Sequence, residues 1–373
     1  MKRLMGSTPK ADGYWMPGEF EPHDGCWMLW PERPDNWRLG AKPAQQAFVD
    51  VASAISEGEP VTMGVSPAQF QNARAMLPPH VRVVEMTNND SWMRDCGPTF
   101  LVNAKGDVRL INWQFNAWGG IRTGLYFPWD QDDLVPQKVS EIERVDRYRG
   151  PITLEGGSVH VDGEGTLLTT EECLLNPNRN PDLSREDIEK ILADYLGIEK
   201  TIWLGKGIYN DETSGHIDNI CCFIRPGVVA LAWCDDENDP QFSISQDAYN
   251  RLSEAKDATG RTLEIHKICL PDPVLITEEE SHGVDAIEGT LPRQPGDRLA
   301  ASYINFYIGN GVIVVPQFGD PKDKEAVLQL AGLFPDRKII PVIAREILLG
   351  GGNIHCITQQ QPGRQVEMPD TRP

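Results

Sequence analysis

The feature that most constrains this chain is a repeated supersecondary pattern: two strands joined at a glycine-centred turn, then a helix, then a third strand. In the clearest copy, residues 158–170 read as strand, turn and strand. Ser184 and Asp187 then form a Ser-x-x-Asp capping box, and Ile188, Ile191, Leu192, Tyr195 and Leu196 recur at helical spacing. Gly197 stops this helix, and 201–205 read as a strand. A second copy has strands at 216–224 and 228–234 about the turn Arg225-Pro226-Gly227, a helix from about Ser245 to Ala258 and a strand at 263–271. A third has strands at 302–308 and 312–318 about Gly309-Asn310-Gly311. Asp320 and Pro321 serve as N-cap and first residue of a helix to Phe334, and a strand follows at 338–343. A further hairpin spans 99–113 and turns at Gly106.

The turn glycines at 106, 163, 227 and 311 are 57, 64 and 84 residues apart, the last gap carrying a Pro-, Gly- and Glu-rich insertion around 271–300. A fifth unit is assembled from the two chain ends, with helices at about 44–57 and 67–76 and a strand around Ile354. The pattern predicts an α/β fold, a five-fold pseudosymmetric propeller of ββαβ-type repeats, with residues 1–373 as a single domain. A plain α/β sheet with similar-looking hairpins is the competing architecture.

Composition narrows the partners. With 35 Lys+Arg against 55 Asp+Glu the net charge is −20, and 40% of residues are hydrophobic, which describes a globular chain. Such a charge opposes binding to nucleic acid or an anionic membrane surface and favours a cationic small molecule. The first twenty residues lack the apolar core of a signal peptide, and no run approaches the ~18 apolar residues of a membrane span. A cytoplasmic protein is expected. Eight cysteines show neither a Cys-x-x-Cys pair nor zinc-type spacing, so reduced thiols are the expectation, one of them open to a reactive role.

Polar residues recur at equivalent strand edges. Asp95 precedes the first hairpin, Glu155 the second and His216 the third, while Cys356 follows the last strand. In a ring of repeats such positions converge on the axis. A thiolate nucleophile, an imidazole to shuttle protons and carboxylates to grip positive charge are what hydrolysis at a cationic carbon requires. His216 and Asp218, two apart, would face the same side of a strand. Gly350, Gly351 and Gly352 free the backbone before Cys356. Trp92, three residues before Asp95, is placed to cover a substrate's methylene chain.

Ordinary alternatives exist for each: a buried thiol, a structural histidine, a cap, a salt bridge, a core tryptophan. Cys221, Cys222, Cys234 and Cys269 read as core, Trp27, Trp30, Trp113 and Trp118 as packing, and His355 receives no role, pointing away from Cys356 if the segment is extended. Walker, dinucleotide-binding, nucleophile-elbow and His-Glu-x-x-His motifs are absent from the sequence. The pairs His160/Asp162 and His216/Asp218 allow a weaker metal-site reading.

At these residues the sequence resembles the agmatine deiminases of the guanidine-modifying superfamily, in the peptidylarginine deiminase-like family. The likeness runs through MPGEFEPHDGCWMLWPERPDNWR, NNDSWMRDCGP, FNAWGG, YFPWDQDD, LEGGSVHVDGEGTLLTTEECLLNPNRNP, ETSGHIDN, EGTLPR, SYINFY and GGGNIHCITQQ. It implies the five-fold propeller and hydrolysis of agmatine to N-carbamoylputrescine and ammonia through an amidino-cysteine. By the same resemblance Cys356 is the nucleophile, His216 the general acid/base, Glu155 its partner, Asp95 and Asp218 the guanidinium clamp, and Glu212 a contributor to agmatine binding. No metal or organic cofactor is implied, and the protein is expected to be a cytoplasmic homo-oligomer in polyamine metabolism. Arginine-type deimination and a metal-dependent ureohydrolase are the alternative activities, and a non-catalytic propeller that binds cationic ligands is the alternative from another class.

Overall fold

The structure, a computed structural model, describes residues 3–287, 290 and 292–363. Glu288, Gly289 and Leu291 of the Glu-Gly-Thr-Leu-Pro-Arg stretch lie outside the described residues, as do the ends of the 1–373 span. The architecture is mixed α/β, with the strands of the described residues divided among five separate sheets.

Each sheet is built on one plan, in which a central strand pairs antiparallel with one neighbour and, across a helical connection, parallel with the next. Cys221–Arg225 pairs antiparallel with Val228–Trp233, which pairs parallel with Glu264–Cys269. Tyr307–Gly309, Val312–Gln317 and Lys338–Ile343 repeat the arrangement. So do His160–Val161, Thr166–Thr170 and Lys200–Leu204. Thr99–Asn103, Val108–Gln114 and Arg147–Thr153 form a fourth set, extended at its edge by Tyr14–Trp15. The fifth sheet draws on both chain ends: Gln359–Pro362 pairs antiparallel with His23–Leu29, which continues in parallel to Val61–Val65 and Arg82–Glu85. Apolar faces of these sheets and of helices such as Lys42–Ile55 meet in one large buried cluster, and a smaller one gathers around Leu101, Ile111, Trp113, Leu167 and Leu192.

Local chemistry sets the boundaries. Ser184 and Asp187 close the capping box on helix Arg185–Leu196, and Gly197 ends it in the left-handed region at φ +75°. Three expectations shift. The helix expected from Ser245 is Pro240–Glu254, because Asp239 caps it and Pro240 starts it, while Ser245 is buried and bonds the Ala232 carbonyl. The helix expected to start at Pro321 is Asp323–Leu333. The Asp323 carboxylate accepts the N–H groups of Phe318, Gly319 and Asp320, so Asp320 and Pro321 belong to the preceding turn.

The strand expected around Ile354 is a turn, and the strand of that unit is Gln359–Pro362. Asn305 Oδ1 takes the N–H groups of both His355 and Cys356, and the Thr358 hydroxyl bonds the carbonyls of Ile354 and His355. These side chains replace a strand ladder. Cys221 and Cys222 are core as expected, whereas Cys234 and Cys269 are only half-buried. Among the described residues no helix is long and apolar enough to cross a membrane.

Candidate active site

Cys356, Asp95, Trp92 and Glu212 line one cavity of about 270 Å³ that opens toward Arg33, Arg38 and Arg293. At its blind end, Cys356 Sγ lies 3.7 Å from Asp218 Oδ2 and within 3.3–3.4 Å of the Asn305 amide. Asp95 sits in the short helix Met93–Cys96, its Oδ1 taking the Gly157 N–H at 3.0 Å and its Oδ2 the Trp118 indole N–H at 2.9 Å. His216 and Asp218 are not on a strand. They occupy the entry to and the middle of a 3-10 turn, Ile217–Asn219, because Asp211 Oδ2 captures the His216 N–H at 2.9 Å. His216 Nδ1 is 3.8 Å from Asp95 Oδ2, and its Nε2 is 3.5 Å from Glu155 Oε2.

Gly157 explains how these groups come together. A Cβ there would lie 2.6 Å from His216 Nδ1 and 2.8 Å from both Asp218 Oδ2 and Asp95 Oδ1, so only a bare Cα lets three polar side chains converge. Both ring nitrogens of His216, Glu155 Oε2 and Asp218 Oδ1 are buried without a hydrogen-bond partner among the described residues. Buried polar atoms normally find partners, so unpaired ones on groups this close to Cys356 are open to a polar ligand, and His216, Glu155 and Asp218 lie behind the residues that line the cavity.

The mouth is built differently. Glu212 is held bidentately by Arg293, at 2.7 and 2.6 Å, and is partly open to solvent. Arg293 also donates to Asn36 Oδ1 and to the carbonyls of Leu349 and Gly350, tying the insertion to the glycine run. Gly351 passes beneath this pair at φ +110°. Trp92 stacks on Trp37 at 5.2 Å and donates its indole N–H to Asp90, presenting a rigid apolar wall.

The electrostatics follow from burial and neighbours. Burial raises the Asp95 carboxyl to about 6 against the pull of His216, and Asp218 and Glu155 add to the rise. Burial also works against the Glu155 carboxylate, yet Arg179 and His216 hold its pKa at about 2. For His216 burial opposes the charge, but Asp95, the Cys173 sulfur and Glu155 prevail and keep it well above the ordinary imidazole value. Burial pushes the Cys356 thiol far up, and Asp218 and Asp95 push it further.

Four residues were invisible in the repeat pattern. Arg179 Nε donates to Glu155 Oε1 at 2.7 Å and its other nitrogens bond the carbonyls of Trp118 and Thr213, which fixes Glu155 under His216. Asn305 orders the turn that carries Cys356. Trp118, read as packing, lines the cavity and bonds Asp95. His355 does not point away from the site: its Nδ1 is 2.9 Å from Asp218 Oδ2, the same oxygen that Cys356 faces. The metal reading finds little support in this geometry. Asp162 is spent on the N–H groups of Glu164 and Thr166 in its own turn. Two buried groups, Glu19–His160–His355 and Glu155–Cys173–His216, have ligand-like spacing, but Arg94 and Arg179 already pair with their carboxylates at 2.9 and 2.7 Å.

A chain of repeated mixed sheets that gathers a buried thiol, an imidazole and paired carboxylates belongs to a defined class. It is a member of the Porphyromonas-type peptidyl-arginine deiminase family, whose model matches residues 15–362. An agmatine deiminase of Pseudomonas aeruginosa is 59% identical over 358 residues, covering 95% of this chain and 97% of its own. The solved structure of an agmatine deiminase of Enterococcus faecalis superposes with a TM-score of 0.95 at 56% identity, covering 98% of this chain and 100% of that one. A C. jejuni agmatine deiminase with a cysteine replaced by serine and substrate bound has a TM-score of 0.79 at 27% identity, over 93% of this chain and 96% of that one.

Proposed function

We propose that this chain hydrolyses agmatine to N-carbamoylputrescine and ammonia through a covalent amidino-cysteine on Cys356. The observation that carries the reading is the convergence on the bare face of Gly157, where Asp95, Asp218 and His216 meet beside the Cys356 thiol. The agmatine deiminases similar to this chain along nearly its whole length support the substrate.

Agmatine carries a guanidinium at one end and an ammonium at the other. Asp95 and Asp218 take hydrogen bonds from the guanidinium N–H groups and orient its plane, and Trp92 covers the methylene chain leading to Glu212 at the mouth. In the free protein burial, and then the carboxylates, keep the thiol protonated. The bound guanidinium offsets their charge and favours the thiolate. Sulfur attacks the central carbon, His216 gives its proton to one NH₂ group, and the C–N bond breaks to release ammonia. The S-amidino cation remains. His216, now neutral, takes a proton from water as its oxygen bonds the carbon; the C–S bond then breaks, the hydroxyl proton passes to solvent, and the thiolate and N-carbamoylputrescine are formed. Glu155, held ionised by Arg179, keeps His216 charged and oriented between the two steps.

The lining charges weigh against arginine as substrate. Arg33, Arg38 and Arg293 could each attract an α-carboxylate, but they are already paired with Asp35, Glu346 and Glu212. A ureohydrolase would need metal-binding carboxylates that guanidinium groups here occupy. We read the five sheets as the blades of a five-fold ring closed by the pairing of the two chain ends, with residues 1–373 as one domain. The shared strand plan and the contact of Gln359–Pro362 with His23–Leu29 support that reading. The family resemblance and eight unpaired cysteines support a cytoplasmic homo-oligomer.

Intact-protein mass spectrometry during turnover of agmatine tests the chemistry. A transient amidino adduct on the peptide containing Cys356 is the expected result; urea release without an adduct would refute the reading.

A further inference from the structure

His355 lies outside the cavity, in a closed shell with Glu19, His160 and Asp218. Its Nδ1 is 2.9 Å from Asp218 Oδ2, and its Nε2 is 2.9 and 3.0 Å from the two Glu19 oxygens. Ionised carboxylates only accept, and a neutral imidazole has a single N–H, so two such bonds require both ring nitrogens to carry hydrogen. The charge balance gives the same result. Arg94 Nη1 pairs with Glu19 at 2.9 Å. His160 Nδ1 accepts the Phe223 N–H, which leaves that ring one proton, on the Nε2 that faces Glu19 at 3.6 Å. Two carboxylates and one guanidinium are therefore enclosed together, and the shell is neutral only when His355 is an imidazolium.

We propose that His355 is a positioning residue for the reaction: a protonated strut that ties Asp218 Oδ2 to Glu19, keeps Asp218 ionised and fixes the orientation of its carboxylate beside the Cys356 thiol. Asp218 Oδ1 is buried and has no hydrogen-bond partner among the described residues. Burial and Arg94 oppose the charge on His355, while Glu19 and Asp218 favour it and raise its pKa. Burial likewise opposes ionisation of Asp218, and His355 is the foremost group holding its pKa down, ahead of His216 and Arg94. The other titratable groups that face Asp218 are Asp95, Asp211 and the Cys222 and Cys356 thiols.

The inference rests on the guanidine-hydrolase reading for its kinetic consequence but not for the protonation state, so two measurements separate them. In the full-length chain, His355→Gln removes the charge and one of the two bonds. KM for agmatine is expected to rise about ten- to hundredfold, the worth of a hydrogen bond to a charged group, with kcat falling less. The acid limb of kcat/KM, which Asp95 places near pH 6, steepens or moves to higher pH, because Asp218 loses the cation that depresses its pKa and its protonation joins that of Asp95. Glu19→Gln, which keeps the shape and removes one charge, is expected to shift both quantities in the same direction and guards against a variant that fails to fold. Nitrogen-15 spectra at about pH 9, well above the ordinary imidazole pKa of ~6.5, should show an imidazolium signal that either substitution removes. Unchanged KM and acid limb in both variants, or no imidazolium signal lost in either, overturns the proposal. A wild-type chain that releases no ammonia from agmatine refutes the function, while the spectra still decide the strut.

Discussion

The two ends of the cavity use the same residue types under opposite conditions. At the blind end Asp95, Glu155, His216 and Asp218 are almost wholly buried, and each is fixed by a partner, of which Trp118, Arg179 and His355 are buried and Asp211 is half-buried. At the mouth Glu212 and Arg293 form an ion pair that water still reaches. Charges in a low-dielectric enclosure shift one another's pKa strongly and cannot relax, whereas an exposed pair is screened and worth little. The blind end is thus where chemistry is set, and the mouth is where the far end of a substrate is recognised.

The largest effect that could break this contrast is at sulfur. Cys356→Ser is expected to cut ammonia release from agmatine by roughly 10⁴-fold or more, the scale of losing the nucleophile in a covalent mechanism. Ammonia produced at an undiminished rate would place the chemistry elsewhere. Next is Glu155→Gln. His216 loses the carboxylate that helps keep it protonated, so kcat should fall by about 10²- to 10⁴-fold and the alkaline limb should move to lower pH. A pH profile with that limb unmoved would detach Glu155 from His216.

Asp95 supplies the pH test. Its carboxyl, raised to about 6, is neutral below that value and ionised above it. Clamping a guanidinium needs the ionised form, so kcat/KM is retained above pH 6 and lost as pH falls through about 6. Bound agmatine favours the ionised form, so the corresponding limb in kcat lies lower. An acid limb of kcat/KM near the ordinary carboxylate value of ~3.9 would mean that burial at the blind end does not control the site.

How much of this was written in the sequence depends on the range of the forces involved. The four hairpin turns were legible because a tight turn needs a left-handed residue, and Gly106, Gly163, Gly227 and Gly311 all adopt φ between +71° and +77°. Convergence of Asp95, Glu155, His216 and Cys356 was legible only through repetition, and their roles only through resemblance. The two His-x-Asp pairs show the limit. His160 and Asp162 are spelled like His216 and Asp218, but the first aspartate closes its own turn while the second enters the site. The difference comes from Asp211 and His355, partners that spacing alone does not disclose. Arg179 was missed for the same reason, since its partner Glu155 lies 24 residues upstream on another element.

Two smaller effects sharpen the contrast. Glu212→Gln at the mouth should raise KM for agmatine about tenfold while kcat stays within about threefold, as for loss of a hydrogen bond to a charge remote from the reacting carbon. A kcat loss as large as that of Glu155→Gln would erase the distinction between the ends. The smallest belongs to neither end. Ser184 caps helix Arg185–Leu196 on the surface, its Oγ accepting the Asp187 N–H, and its truncation to alanine leaves that donor to water. Ser184→Ala should cost about 1 kcal/mol in denaturant unfolding and leave both kcat and KM unchanged. Since the capped helix packs through Ile188, Leu192 and Leu196 into the smaller core cluster, a kinetic effect would mean that the cluster's packing reaches the cavity, and the blind end would then owe its geometry to more than its own buried partners.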